Sequence, residues 1–186
     1  MIRRKTRVLT LKPKLKPIKT IDIEIAIAKY FGVRQNIIVP NISWGFGVHE
    51  CDLFIIKKTG IAVEVEIKVS KADLINDFKK RHHHIDRQHR ITEFYYAMPE
   101  SLYEKCKDII PEGVGIITCY RYYDTIKKKD EVLTHTQRNS LRIKGARKLT
   151  HEEQFRIAVL GCMRIFNLKE KIVKLTDKSN GNTKIL

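Results

Sequence analysis

The stretch ECDLFIIKKTGIAVEVEIKV, residues 50–69, constrains the fold more than any other part of the chain. Two apolar, β-branched runs flank Thr59-Gly60, the composition of a hairpin turn. Side chains alternate between faces along a strand. Glu64, Glu66 and Lys68 therefore share one face, and Val63, Val65, Ile67 and Val69 take the other. Glu50 and Asp52 share a face of the preceding strand. If the loop is Lys58, Thr59 and Gly60, Lys57 pairs with Ile61, Asp52 stands opposite Glu66, and Glu50 opposite Lys68. Directly opposed Cβ atoms lie about 5 Å apart on one side of the sheet. A slip of one residue would send Asp52 to the wrong face, so the convergence of carboxylates and lysine depends on register.

The hairpin sits among other periodic segments. In TIDIEIAIAKYF, residues 20–31, four isoleucines alternate like a strand, while the Ala, Glu and Lys content favours a helix. A helix ending near Gly32 is the expectation. Residues 36–42 form a strand that Pro40 marks as an edge or a bulge. Ser70, with Asp73 three residues on, opens a helix over about 71–81 that turns Leu74, Ile75 and Phe78 inward. A strand at 92–97, a short helix at 102–110 and a strand at 113–120 follow. Residues 121–149 read as basic and irregular, with room for a short strand. Phe155, Ala158, Val159, Cys162 and Phe166 have helical spacing and predict an amphipathic helix over 152–166, with fraying after about 176. The expected class is α/β, a mixed central sheet of about five strands flanked by helices. The expected organisation is a basic arm over 1–19, a domain over 20–170 and a polar tail over 171–186.

Two carboxylates held close together repel unless a cation lies between them. Such oxygen ligands suit Mg²⁺ or Mn²⁺. A bound ion of that kind lowers the pKa of its water and offsets charge building on a phosphorus. A neighbouring lysine can position the water or stabilise the transition state. Acid-x-Lys alone reads equally well as an exposed sheet face of mixed charge.

Asp52, then Glu66-Ile67-Lys68 after a hairpin, then the helix opened by Ser70, resembles the signature of the PD-(D/E)XK nuclease superfamily. The resemblance implies a restriction-endonuclease-like core in which Asp52 and Glu66 bind metal and Lys68 aids the attacking water. It also implies the Ile67 carbonyl as a further ligand and an acid on the first core helix, Glu24, as another. Cys51 stands where the motif has Pro. The runs EIKVSKADLINDFKK, FYYAMPE, IIPEGVGIIT and RNSLRIKGARKLTHEEQFRIAVL, together spanning roughly residues 50–165, are similar to the MmcB-like DNA-repair family. That likeness implies a repair or recombination setting, with Ser70, Asp73 and Asp77 supporting the site. Glu50 and Glu64 support it through the hairpin faces. The function expected is metal-dependent DNA cleavage, and the alternative is an inactive DNA-binding module on the same fold.

Charge points to the same partner. The 186 residues carry 37 Lys and Arg against 21 Asp and Glu, a net +16 that attracts polyanions. Candidate DNA contacts are Arg3, Arg4, Lys5 and Arg7 of the arm, Trp44 for base stacking, and Lys80, His84, Arg121, Arg138 and Arg147. No run approaches 18 apolar residues, so no membrane span is expected, and the basic N-terminus lacks the apolar stretch of a secretory signal. A cytoplasmic, nucleoid-associated protein follows. The scattered Cys51, Cys106, Cys119 and Cys162 suit neither a zinc ribbon nor a disulfide framework. No glycine pattern suggests an organic cofactor. The sequence leaves a homodimer open.

Overall fold

The structure, a computed structural model, describes residues 15–42, 50–79 and 90–181, with side chains through residue 177. The isoleucine run of 20–31 resolves as a helix, α1 (Thr20–Phe31). Ile23 and Ile27, one turn apart, are fully buried, while Ile21 and Ile25 face solvent. The Asp22 carboxylate accepts the Lys19 N–H at 3.0 Å at its start. Gly32 ends the helix with φ +78°, a left-handed conformation that glycine adopts without steric cost.

Six strands follow: β1 (Ile37–Ile42), β2 (Cys51–Ile56), β3 (Ala62–Ile67), β4 (Ile91–Pro99), β5 (Gly115–Asp124) and β6 (Lys129–Arg138). The helices α2 (Lys71–Lys79), α3 (Glu100–Cys106) and α4 (His151–Gly181) are interspersed, with a 3₁₀ turn at Lys107–Ile109. All six strands form one sheet in chain order. Its parallel pairs are β3–β4 and β4–β5, and the other neighbours are antiparallel. Parallel neighbours need crossover connections, which run through α2 and α3. Two right-handed crossovers in the same direction along a sheet place both helices on one face. Accordingly α2 and α3 touch each other, and α1 covers the opposite face.

The core divides by face. Ile23 and Ile27 of α1 pack on Leu53, Ile55, Val63, Val65 and Ile67. Leu74 of α2 and Leu102 of α3 pack on Phe94, Tyr96 and Met98. Ile157 of α4 and Leu149 close over Val39, Phe54 and Ile56. Burial of each such aliphatic side chain contributes roughly 1.5–3 kcal/mol.

The sheet is larger than the sequence suggests. Residues 121–138, expected as mostly irregular, extend β5 and add β6 as an edge strand. The Asp124 carboxylate accepts the Ile126 and Lys127 N–H groups at 2.9 and 3.0 Å, closing the turn between them. Because β6 lies at the edge with its side chains half-exposed or exposed, its sequence lacks the apolar alternation of a buried strand. The final helix is also longer. Leu168, Ile172 and Leu175 continue the helical spacing, so residues 171–181, expected as a polar tail, belong to α4.

Gly115 begins β5 beneath Tyr95. A Cβ there would lie 2.3 Å from the Tyr95 ring and 2.8 Å from the Ser140 backbone nitrogen. Gly115→Ala should therefore destabilise the fold by about 2 kcal/mol, the usual scale of overpacking. Thermal unfolding followed by circular dichroism should show a midpoint lower by on the order of 5 °C.

Candidate catalytic cleft

The β2–β3 hairpin pairs Leu53 with Val65, Phe54 with Glu64, Ile55 with Val63 and Ile56 with Ala62, the register in which Asp52 faces Glu66. Its turn is closed by the Lys57 N–H donating to the Ile61 carbonyl at 2.9 Å, with Gly60 at φ +80°. Pairing stops at Leu53–Val65. Beyond it, the Ile67 N–H donates to the Asp52 carboxylate at 2.7 Å. The Lys68 N–H donates to the Ala97 carbonyl of β4 at 2.9 Å, so the lysine backbone stays anchored where the hairpin parts. A cleft of about 370 Å³ opens there, lined by Glu50, Asp52, Glu64, Glu66, Lys68, Asp73 and Asp77. It lies at the carboxyl end of a parallel strand, where open α/β sheets commonly bind ligands.

Lys68 is the centre of the cluster. Its side chain is buried, and its Nζ lies 3.0 Å from Glu66 Oε2 and 3.1 Å from Asp77 Oδ1. The other Asp77 oxygen accepts the Tyr96 hydroxyl at 2.7 Å. Leu74, buried one turn earlier, anchors α2 against the sheet and turns Asp77 toward β3 and β4. Ser70 Oγ accepts the Asp73 N–H at 3.1 Å, the cap expected at the start of α2. Tyr96 pairs in register with Glu66 on the adjacent strand and is fully buried. Tyr96 was not among the residues that the sequence nominated for the site. The available signal was parity: Tyr96, like Phe94 and Met98, falls on the face opposite Tyr95.

Burial pushes the Glu66 carboxyl up to about 7, helped by Asp52 and Asp77 and opposed by Lys68. Asp52 is raised by burial, against the Ile67 N–H and the Lys68 charge. Glu24 is raised by burial and then by Asp52. Burial works against the Lys68 ammonium, yet Glu66 and Asp77 outweigh it and hold its pKa above the ordinary value. Among the described residues, Asp52, Glu66 and Asp77 thus surround one ammonium, leaving a surplus of negative charge.

That surplus suits a hard divalent cation, and Asp52 and Glu66 line the cleft with half-buried carboxylates. No group of three His, Cys, Asp or Glu among the described residues is arranged to hold a metal. The hydrogen bond from Lys68 to Glu66 is one reason, and Glu24 is another, since it does not line the cleft although Asp52 raises its pKa. Mg²⁺ commonly uses only one or two carboxylates and keeps several waters, so the donor set still fits.

The remaining candidates are dispersed. Glu50 is exposed at the cleft and Glu64 is buried against it. Three arginines expected to meet DNA make internal contacts. Arg121 bonds the Lys16 and Pro17 carbonyls and the Asp22 carboxylate. Arg138 bonds the Val114 and Pro111 carbonyls, and Arg147 bonds Glu153. Each thus fastens a loop or helix end. Arg3, Arg4, Lys5, Arg7, Trp44, Lys80 and His84 lie outside the described residues.

A carboxyl raised from 4.5 to about 7 gives a signed pH effect. Between those values the native state binds more protons than the unfolded state, so stability falls as pH rises. In EDTA, the melting temperature of the wild type relative to Glu66→Gln should drop by several degrees between pH 4.5 and 7 and then level off. Added Mg²⁺ should raise the wild-type midpoint more at pH 8 than at pH 5, because the cation competes with the proton. Differential scanning calorimetry across that range checks both.

No family model matches the chain, and no curated protein matches it. A solved structure of similar fold is that of the SPO1766 protein of unknown function from Silicibacter pomeroyi, 13% identical with a TM-score of 0.55. The match covers 89% of this chain and 96% of that one, and it shows a shared α/β fold with a mixed sheet.

Proposed function

We propose that this chain is a divalent-metal-dependent nuclease of the PD-(D/E)XK kind that hydrolyses DNA phosphodiester bonds, in repair or recombination. The observation that carries the reading is the meeting of Asp52, Glu66 and Lys68 in one cleft at the parted end of β2 and β3. Asp52 and Glu66 would hold Mg²⁺ or Mn²⁺, with the Ile67 carbonyl as a further donor. When bound, the ion supplies a water of lowered pKa and offsets charge on the phosphorus. Lys68 remains charged between its carboxylates and donates hydrogen bonds toward the cleft. Asp77, itself fixed by Tyr96, positions that ammonium. The net charge of +16 draws the phosphate backbone in. A helix-turn-helix or zinc finger is absent among the described residues, which favours recognition of DNA shape over a fixed sequence.

One observation favours a second reading, a DNA-binding module without turnover. Lys68 occupies Glu66, and no group of three His, Cys, Asp or Glu among the described residues is arranged to hold a metal.

Cleavage of duplex, single-stranded and branched DNA with Mg²⁺, Mn²⁺ or EDTA separates the two. The nuclease cuts with metal, and Lys68→Ala lowers the rate by about 100-fold or more, the scale of losing a group that stabilises developing charge. DNA binding, measured by fluorescence anisotropy, should stay within a few-fold of wild type. Intact, salt-sensitive binding with no cutting of any substrate would select the binding module. Competition by RNA tests the choice of DNA.

A further inference from the structure

Among the described residues, the longest helix presents an apolar face that the rest of the domain does not cover. Ile157 is buried in the core, Gly161 lies against Val39, and Arg164 bonds the Asn41 carbonyl, so these positions define the inward side of α4. The outward side carries Phe155, Val159, Cys162, Phe166 and Val173 at alternating steps of three, four and seven residues. Phe155 is 70% and Phe166 63% exposed. Of the exposed large hydrophobic residues on this helix, Phe155, Val159, Met163, Phe166 and Val173 lie toward this side, while Ile165 and Leu168 turn toward β1. At roughly 80 Å² each the five amount to about 400 Å², the size at which an exposed patch is often functional.

We propose that α4 is the dimer interface of this protein, pairing antiparallel with α4 of a second copy about a twofold axis near Met163. Charge selects this occupant and this direction. Glu152 and Lys174 lie equidistant from Met163 along the helix, and so do Arg156 and Glu170. All four sit on one flank of the apolar stripe. In an antiparallel pair the same flank of each helix meets its twin, so Glu152 faces the other copy's Lys174 and Arg156 faces its Glu170. A parallel pair would instead bring this flank against the opposite flank of the second copy, so neither pair would form. An isologous contact of this kind closes on itself and leaves no open end for further growth.

Light scattering coupled to size exclusion should give twice the 21.8 kDa chain mass at tens of micromolar. Phe166→Asp and Val159→Asp, both at exposed positions, should each give the mass of one chain with an unchanged far-ultraviolet spectrum. Glu170→Lys and Arg156→Glu should each weaken the dimer about three- to tenfold, and the double variant should regain most of the loss, as surface ion pairs do. Of the four cysteines only Cys162 is exposed, next to the proposed axis. A short bismaleimide should therefore link two wild-type chains and fail with Cys162→Ser. A wild type that runs as one chain, a dimer indifferent to both aspartates, or a charge pair that shows no rescue would overturn the proposal.

Discussion

A buried ammonium organises this molecule. Taking Lys68 out of water costs several kcal/mol, and the cost is offset only if carboxylates meet it in good geometry. Glu66 comes from the same strand, two residues away, and needs only the alternation of β3. Asp77 comes from α2 and needs that helix docked on the sheet. Asp77 in turn needs Tyr96 from β4, because a buried carboxylate oxygen without a donor is unfavourable. One lysine therefore ties β3, α2 and β4 together, the same three elements that make the first right-handed crossover. The requirements of the fold and of the cleft coincide at this point.

What was legible in the sequence follows from this. The hairpin register followed on the condition of a three-residue loop at Lys58, Thr59 and Gly60, and the pairing of Phe54 with Glu64 belongs to that register. The helix over 20–31 was readable from composition, and the structure explains its ambiguous pattern: of four alternating isoleucines, only the two spaced by four residues are buried. Tyr96 was not readable, since its role depends on a parallel neighbour and a helix that parity alone does not position. Nor were the duties of Arg121, Arg138 and Arg147. A guanidinium reads as surface charge in a sequence, and whether it reaches phosphate or a carbonyl of its own chain is decided by tertiary packing. The strand β6 and the far half of α4 escaped for a common reason. Both present much side-chain surface to solvent, so burial imposes little pattern on their residues.

The likeness to the Silicibacter pomeroyi protein places the sheet and helices in a shared architecture at 13% identity. A fold at that distance supports many chemistries, so function has to be argued from the site. Among the described residues the site has a specific composition: negative charge in excess, one ammonium, and a carboxylate fixed by a backbone N–H. A structural ion pair would balance its charges and close its cavity. This cluster does neither, and it faces a cleft lined mainly by acids.

The two contacts of Lys68 differ in what they can give up. Glu66 lies at the open side with its carboxyl raised to about 7, so it is weakly committed to the charged state that the lysine rewards. Asp77 is buried and holds both the lysine and the tyrosine. Asp52 and Glu66 would hold a divalent cation at this side of the cluster. Asp77 would hold the Lys68 ammonium beside it. With Glu66 as its sole partner, Lys68 would share that carboxylate with the cation. The pairing of one exchangeable and one fixed carboxylate allows the ammonium and the cation to be present together, which the proposed chemistry requires.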